Sequence, residues 1–281
     1  LAEHYGFLGG MATAGEVNPF MRNELDGEAL DTGIFEEWLD RIAWYGGIGS
    51  NCRVFDPNAA RLAAEDLCVD AGVQLLYHHT AVHAETSNRL ISGVVLHSKS
   101  GFSAVRAAQY IDSTGDGDLA ALSGCGFETG APDSEHGQPM TLDFKLQLDP
   151  SVFPPVPEGT NPFLMLRSCI QKINEIYSQA QNEGRIECPR ENVLFFPSVD
   201  ETVIHFNTTR VIHRSSIDGE ELSAAEIEGR KQMRQLFELL RTEIPEFKNA
   251  TFYSVAPQIG IRESRRILGR DYLVQDDFAK G

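Results

Sequence analysis

The chain has 281 residues, of which 42% are hydrophobic and 23% charged, and a net charge of −17 at pH 7. An acidic chain is a poor ligand for nucleic acid or an anionic membrane surface, because both attract basic proteins. It also lacks any run of about 18 apolar residues that could cross a bilayer. We therefore expect a soluble, cytoplasmic protein of about two domains, with neither a nucleic-acid nor a membrane partner.

The five cysteines are widely spaced and include no CxxC pair. This spacing fits neither a disulfide framework nor a zinc or iron–sulfur site, so we predict reduced thiols. The adjacent His78 and His79 would point to opposite sides of a strand, and no metal site is predicted. The sequence opens at Leu1 without a signal-peptide pattern, so we expect the natural N-terminus to lie upstream.

The first elements predicted along the chain form an α/β unit. Asp56 and Pro57 are typical of the N-cap and first turn of a helix, and Gly72 is typical of its end. The β-prone residues 73–77 follow directly, so they predict a parallel strand.

A three-stranded meander is predicted next, because short polar or glycine-containing turns separate β-prone segments. Its strands are predicted at 79–85, 90–98 and 102–107. Residues 108–112 predict one more strand, which leads into a glycine-rich turn.

Prolines and glycines become dense between Pro132 and Pro162, and the pattern of the first region ends there. We place a boundary at this point, between a domain of residues 1–131 and a domain of residues 132–281. Beyond it the sequence predicts a helix at 161–183, two strands within 192–209, and a long helix at 223–241. Ser223 and Glu226 predict a capping box for this last helix.

The segment from Thr114 to Asp118 carries the strongest chemical signal. Its two glycines interrupt a predicted strand and helix, where a helix N-terminus can offer unpaired N–H groups to a phosphate or ribose. The alternative is an ordinary turn in which Asp116 caps the helix.

A second signal lies at the start of the chain. Glu3 would close a strand, where an acidic residue can hold a ribose hydroxyl. Gly9 and Gly10 follow it and would let the backbone approach a flat ligand. The alternative is a flexible loop with Glu3 as a solvated charge.

Taken in order, these segments resemble the family of FAD-dependent oxidoreductases with the glutathione-reductase type of FAD-binding fold. The resemblance covers nearly the whole chain. It is carried by Glu3, Gly9-Gly10-Met11, Asp56-Pro57, Thr80-Ala81-Val82, Ser113-Thr114-Gly115-Asp116-Gly117-Asp118, Gln138-Pro139-Met140-Thr141, Asn207-Thr208-Thr209-Arg210-Val211 and 256–267.

The resemblance implies an α/β fold, with a partial FAD-binding, three-layer Rossmann-like domain and an inserted α+β substrate domain built on a mixed sheet. It implies FAD as cofactor. Glu3 would bind the adenosine ribose, Val82 would meet adenine through its backbone, and Thr114 and Gly115 would pack against the dinucleotide. Gly9, Gly10 and Met11 would line the flavin, with Asp116 and Asp118 as further contacts.

Two parts of the family pattern are missing from the sequence. The GxGxxG turn that should precede Glu3 is absent, as is the C-terminal segment that completes the flavin site. We expect both losses to weaken FAD binding, because they would remove pyrophosphate donors and the cover of the isoalloxazine.

The catalytic candidates are Arg262, Arg265 and His205. Arg262, Arg265 and Arg266 lie close in sequence and could hold a carboxylate substrate bidentately, or else form ion pairs with Glu263 or Asp271. His205 and Asn207 would share a strand face, either above the flavin or as polar positions on a sheet edge.

The resemblance therefore implies a flavoenzyme that transfers a hydride between a small organic substrate and FAD. It leaves room for an electron-transfer partner and for a homo-oligomer. The alternative is a non-catalytic ligand-binding or interaction module on a truncated flavoprotein scaffold. A hydrolase is not supported, because no GxSxG motif occurs.

Overall fold

The computed structural model of the chain describes residues 1–21, 24–25, 28–30, 32–49, 53–131, 137–152, 162–272, 274 and 277. Within them the chain has a mixed α/β architecture with several sheets. Cys52 and much of the predicted boundary segment, at 132–136 and 153–161, lie outside the described residues. No helix among the described residues is long and apolar enough to span a bilayer.

The N-terminal elements are β1 (Ala2–Glu3), β2 (Glu24–Leu25), β3 (Glu28–Ala29), α1 (Ile34–Trp44), α2 (Pro57–Asp70) and β4 (Leu76–Tyr77). The predicted helix is confirmed as α2, because Asp56 caps it by accepting hydrogen bonds from the Asn58 and Ala59 amides. It ends before Gly72, which has a φ of 73°. The strand after it is shorter than predicted and pairs in parallel with β1.

The predicted meander is confirmed as β5 (Thr80–Ser87), β6 (Leu90–Ser98) and β7 (Gly101–Val105), which pair antiparallel in that order. The further strand at 108–112 was wrongly predicted, since these residues are irregular. A strand needs a partner to satisfy its backbone, and no described strand pairs with this segment. Ile111 is accordingly 85% exposed.

The remaining elements are α3 (Asp118–Leu122), β8 (Phe127–Thr129), β9 (Phe144–Gln147), α4 (Pro162–Ser168), α5 (Ile170–Asn182), β10 (Phe195–Pro197), β11 (Val203–Phe206), α6 (Gly219–Glu243), β12 (Thr251–Val255) and β13 (Arg265–Ile267). The single helix predicted at 161–183 is thus two helices, which part at Cys169. The two predicted strands within 192–209 are confirmed as β10 and β11.

The long helix α6 begins earlier than predicted, and the proposed capping box was wrong. Asp218 is the N-cap, and its carboxylate accepts hydrogen bonds from the Glu220 and Glu221 amides. Glu226 instead accepts a hydrogen bond from the Ile259 amide at 2.7 Å. The local pattern assigned the Glu226 side chain to the helix cap, but it makes a long-range hydrogen bond instead.

The largest sheet has the order β10-β11-β9-β12 and is antiparallel throughout. Alternation along β9 and β11 places Phe144, Leu146, Ile204 and Phe206 in one fully buried core, which also contains residues of α5 and α6. Lys145 lies opposite His205 in the register of the same strands and is also buried. The sheet thus has one apolar face, and its second face carries buried charge.

Candidate functional site

The first part of the site is the end of β1. The Glu3 carboxylate accepts a hydrogen bond from the Tyr5 amide at 2.9 Å and lies 3.0 Å from His4 Nδ1. Burial alone would raise the pKa of Glu3, but the His4 and Tyr5 hydrogen bonds outweigh it and lower the pKa. Glu3 therefore keeps its charge at a strand end, as a ribose ligand would need.

The same pair predicts a measurable titration. The hydrogen bond to Glu3 raises the pKa of His4 above the ordinary 6.5. Because the folded-state pKa is the higher one, the pair stabilises the fold below pH about 6.5, and this contribution is lost as pH rises through the folded-state pKa. We expect Glu3→Gln to lower the His4 midpoint in an NMR titration. An unchanged midpoint would show that Glu3 does not hold the imidazole.

The glycine loop after β1, residues 9–15, makes a tight turn against the second half of the chain. Gly9 and Gly10 have φ values of 109° and 54°, which favour glycine. Apart from Gly10 and its two chain neighbours, no atom of the described residues lies within 4 Å of where a Cβ of Gly10 would stand, so the backbone there is open to a ligand. Met11 Sδ accepts a hydrogen bond from the Ile261 amide, which anchors the loop.

Val82 lies at an irregularity in the meander. Its neighbours Ala81 and His83 pair with Leu96 and Val95, so Val82 has no partner residue in the β5–β6 register. A bulge of this kind frees backbone groups from the ladder. The geometry therefore suits the predicted backbone contact to adenine.

The turn from Thr114 to Asp118 is organised by Asp112, which the sequence analysis did not select. Its carboxylate accepts hydrogen bonds from the Thr114 amide and hydroxyl, at 3.0 and 2.7 Å, and from the Ala120 amide at 2.9 Å. Thr114 Oγ1 in turn accepts from the Asp118 amide at 3.0 Å.

For this turn, the expected unpaired donors and the alternative of an Asp116 cap were both wrong. Gly117 is the N-cap of α3, and Asp116 does not cap the helix. The helix amides of Asp118 and Ala120 are already bonded within the turn, so they are not the unpaired donors that we expected. Gly115 has a φ of 82° and open space at its Cβ position, so the backbone there leaves room for a ligand.

A cavity of about 230 Å³ joins this turn to the predicted arginines. Its walls are Gly115, Asp116 and residues 261–266. Burial raises the pKa of Asp116, and a hydrogen bond with Ser264 opposes the rise. The tertiary structure thus brings together the turn that was predicted to bind the cofactor and the arginine segment that was predicted to bind the substrate. The two segments lie about 150 residues apart in sequence.

The three arginines of this segment have different partners. Arg265 donates to the Asp118 carboxylate at 2.6 Å and to the Asp116 carbonyl at 3.0 Å, and so links β13 to the turn. Arg266 pairs with Glu263, as the ion-pair alternative predicted. Arg262 is exposed at the cavity and makes no hydrogen bond or ion pair with any residue that the structure describes.

A buried ionic cluster lies where the glycine loop meets the large sheet. Glu16, at a positive φ of 51°, pairs with Lys145 at 2.7 Å and lies 3.6 Å from Arg61. Arg61 also donates to the Thr13 carbonyl at 2.7 Å and lies over the Phe7 ring. These contacts hold the loop that was predicted to line the flavin.

His205 lies within this sheet rather than at its edge, because β11 is flanked by β10 and β9. It is fully buried, and its Nε2 is 3.6 Å from the Asp143 carboxylate. Neither ring nitrogen has a hydrogen-bond partner among the described residues. Burial raises the pKa of Asp143, and His205 opposes the rise. A catalytic role for His205 stays a prediction.

Sequence reasoning missed four residues that the geometry makes prominent: Asp112, Glu16, Lys145 and Arg190. A signal existed for two of them. Asp112 begins an Asp-x-Thr segment, which is typical of a side-chain-bonded turn. Lys145 alternates with Phe144 and Leu146, so it had to lie opposite the apolar face.

A family model described as FAD dependent oxidoreductase matches residues 1–281. Among solved structures, the chain is similar to p-nitrophenol 4-monooxygenase from Pseudomonas putida, with 10% identity, a TM-score of 0.41, and coverage of 76% of this chain and 44% of that one. It is also similar to L-proline dehydrogenase from P. horikoshii, at 12% identity, a TM-score of 0.37, and coverage of 77% and 45%.

Glycine oxidase from Bacillus cereus is similar as well, at 12% identity, a TM-score of 0.38, and coverage of 74% of this chain and 44% of that one. The chain therefore spans less than half the length of each of these solved proteins. No curated protein matches it.

Proposed function

Because the chain belongs to the family of FAD-dependent oxidoreductases, we propose that it takes part in transferring a hydride between a small organic substrate and FAD. The cavity between Gly115 and Arg262 is the observation that best supports this proposal. One wall is the turn that would contact the cofactor, and the other carries arginines that suit an anionic substrate. A cofactor and a substrate held on opposite walls would meet in the same space.

The residues present fit FAD in three respects. Gly10 and Gly115 leave open space where a side chain would stand, so the backbone can approach a planar or phosphate group. Glu3 is a half-buried carboxylate at a strand end, and Val82 lies at a bulge that frees its peptide groups. Bound FAD would supply the hydride acceptor or donor.

On the substrate side, the chain would bind and orient rather than react. Arg262 is positioned at the cavity with no competing partner among the described residues, so it can hold a substrate carboxylate. Turnover also needs an electron acceptor, which we propose to be a separate partner.

The test is visible absorption spectroscopy of the purified protein. We expect a bound oxidised-flavin band near about 450 nm, either as isolated or after addition of FAD. Anaerobic addition of small hydroxy or amino acids should then bleach the band if one of them is a substrate.

Two outcomes contradict the proposal in different ways. Failure to take up FAD even at a large excess of the cofactor would remove the cofactor assignment. Uptake of FAD without reduction by any organic substrate, together with tight ligand binding, would favour the non-catalytic binding module.

A further inference from the structure

Arg190 is the most unusual charged residue of the second half of the chain. It is only 9% exposed, and its Nε is buried without a hydrogen-bond partner. Its guanidinium makes no ion pair with any residue in the described parts of the chain. An unpaired buried charge is costly, so a residue of this kind points to a partner that the protein itself does not supply.

The backbone brings two further arginines to the same end of the large sheet. Leu194 and Thr208 are hydrogen-bonded to each other, so the segment after Arg190 lies beside the segment before Arg210. Two bridges, Met140↔Val211 and Thr141↔Gly260, then connect the residue after Arg210 to the segment that carries Arg262. Arg262 lies two residues after Gly260 and lines the cavity.

The charges of the three arginines act on one another and are poorly balanced. Burial lowers the pKa of Arg190 most, and the positive charges of Arg210 and Arg262 lower it further, whereas Cys188 and Glu191 partly oppose the fall. Glu191, an exposed residue, is the only carboxylate bonded to any of the three in the described structure, through Arg210 at 3.3 Å. Three positive charges against one negative charge leave an excess of two, in a chain whose net charge is −17.

We propose that Arg190, Arg210 and Arg262 form an anion-binding site for a carboxylate group of the substrate. Guanidinium groups bind carboxylates through paired, charge-assisted hydrogen bonds, and a buried donor gains more from them than an exposed one. Arg262 lies on both this site and the cavity beside Gly115, so a carboxylate held here would direct the rest of the molecule toward the predicted cofactor turn. This inference rests on the proposed function and names its substrate class.

The test is isothermal titration calorimetry of the whole protein with succinate, and with succinamide as the uncharged match. We expect succinate to bind and succinamide not to bind. Removing a charge-assisted hydrogen-bond donor, in Arg190→Met or Arg262→Met, should raise the Kd for succinate about 10- to 100-fold. Arg262 is exposed, so its variant tests the site even if Arg190→Met fails to fold.

Arg185→Met is the matched control, because Arg185 is exposed and already paired with Glu183 and Glu243. It should leave the Kd for succinate unchanged. Equal affinities in the wild type, Arg190→Met and Arg262→Met would overturn the site. Displacement of succinate by FAD would also overturn it, since the arginines would then serve the cofactor phosphates.

A titration with inorganic phosphate is a further test of the ligand class. Binding of succinate much tighter than phosphate supports a substrate carboxylate, whereas equal or tighter binding of phosphate overturns that assignment. Calorimetry does not depend on flavin reduction. Succinate binding without any flavin reduction would therefore leave this site standing while the proposed hydride transfer fails.

Discussion

Replacing Lys145 with methionine is expected to lower the free energy of unfolding by about 3–5 kcal/mol. The side chains of Lys145 and Glu16 are 7% and 8% exposed, and their charged atoms are 2.7 Å apart. Methionine fills similar space but leaves the Glu16 carboxylate buried, with Arg61 at 3.6 Å as its remaining cation. The loss is large because the Glu16 carboxylate would stay buried without its closest cation, and removing one partner of a buried ion pair costs more than the pair itself contributes.

Lys231→Met is the matched control, since Lys231 pairs with Glu187 at 2.6 Å but both side chains are about half exposed. Exposed pairs contribute about 0–1 kcal/mol, so this variant should be nearly neutral. Urea unfolding with linear extrapolation measures both variants. Equal destabilisation of the two variants would show that burial of the Glu16 carboxylate does not determine the size of the loss. The double variant Glu16→Gln with Lys145→Met should recover part of the loss.

The second large effect is expected on cofactor affinity. Asp112→Ala removes the acceptor of three hydrogen bonds that hold the Thr114 to Asp118 turn. We expect the Kd for FAD to rise about tenfold or more, because the turn would have to be ordered during binding. The measurement is quenching of flavin fluorescence on titration of FAD with protein.

Asp200→Ala provides a close structural control. Asp200 accepts hydrogen bonds from the Thr202 amide and hydroxyl, at 2.8 and 2.6 Å, just as Asp112 does with Thr114. It lies in the turn between β10 and β11, outside the predicted cofactor segments. The variant should leave the Kd for FAD unchanged. Similar losses of FAD affinity in both variants would mean that the effect of Asp112→Ala comes from general destabilisation and not from loss of order at the cofactor turn.

Local signals in the sequence predicted the local structure well. The N-cap at Asp56, the end of α2 before Gly72 and the three strands of the meander all follow from residues within a few positions of each element. The same holds for the strands around Asp200. In each case the deciding contacts are short in sequence, so propensity and turn chemistry are sufficient to predict them.

The wrong predictions share a long-range cause. Residues 108–112 have the composition of a strand, but no described strand pairs with them. Glu226 bonds the Ile259 amide instead of capping its own helix. Arg265 pairs with Asp118, which lies 147 residues earlier in the chain and was not named as its partner by the local pattern. Local patterns cannot show which distant group will satisfy a charge or a backbone donor.

The order of motifs, which is written in the chain, was enough to indicate the FAD-dependent oxidoreductase family, the FAD cofactor and the segments that would contact it. The cavity between Gly115 and Arg262, the Glu16–Lys145 pair and the buried Nε of Arg190 were shown only by the tertiary structure. The motifs and their order can be recognised from the sequence because each motif is a local turn or strand end. Charge pairing and cavities depend on which distant strands become neighbours, and packing of the whole sheet decides that.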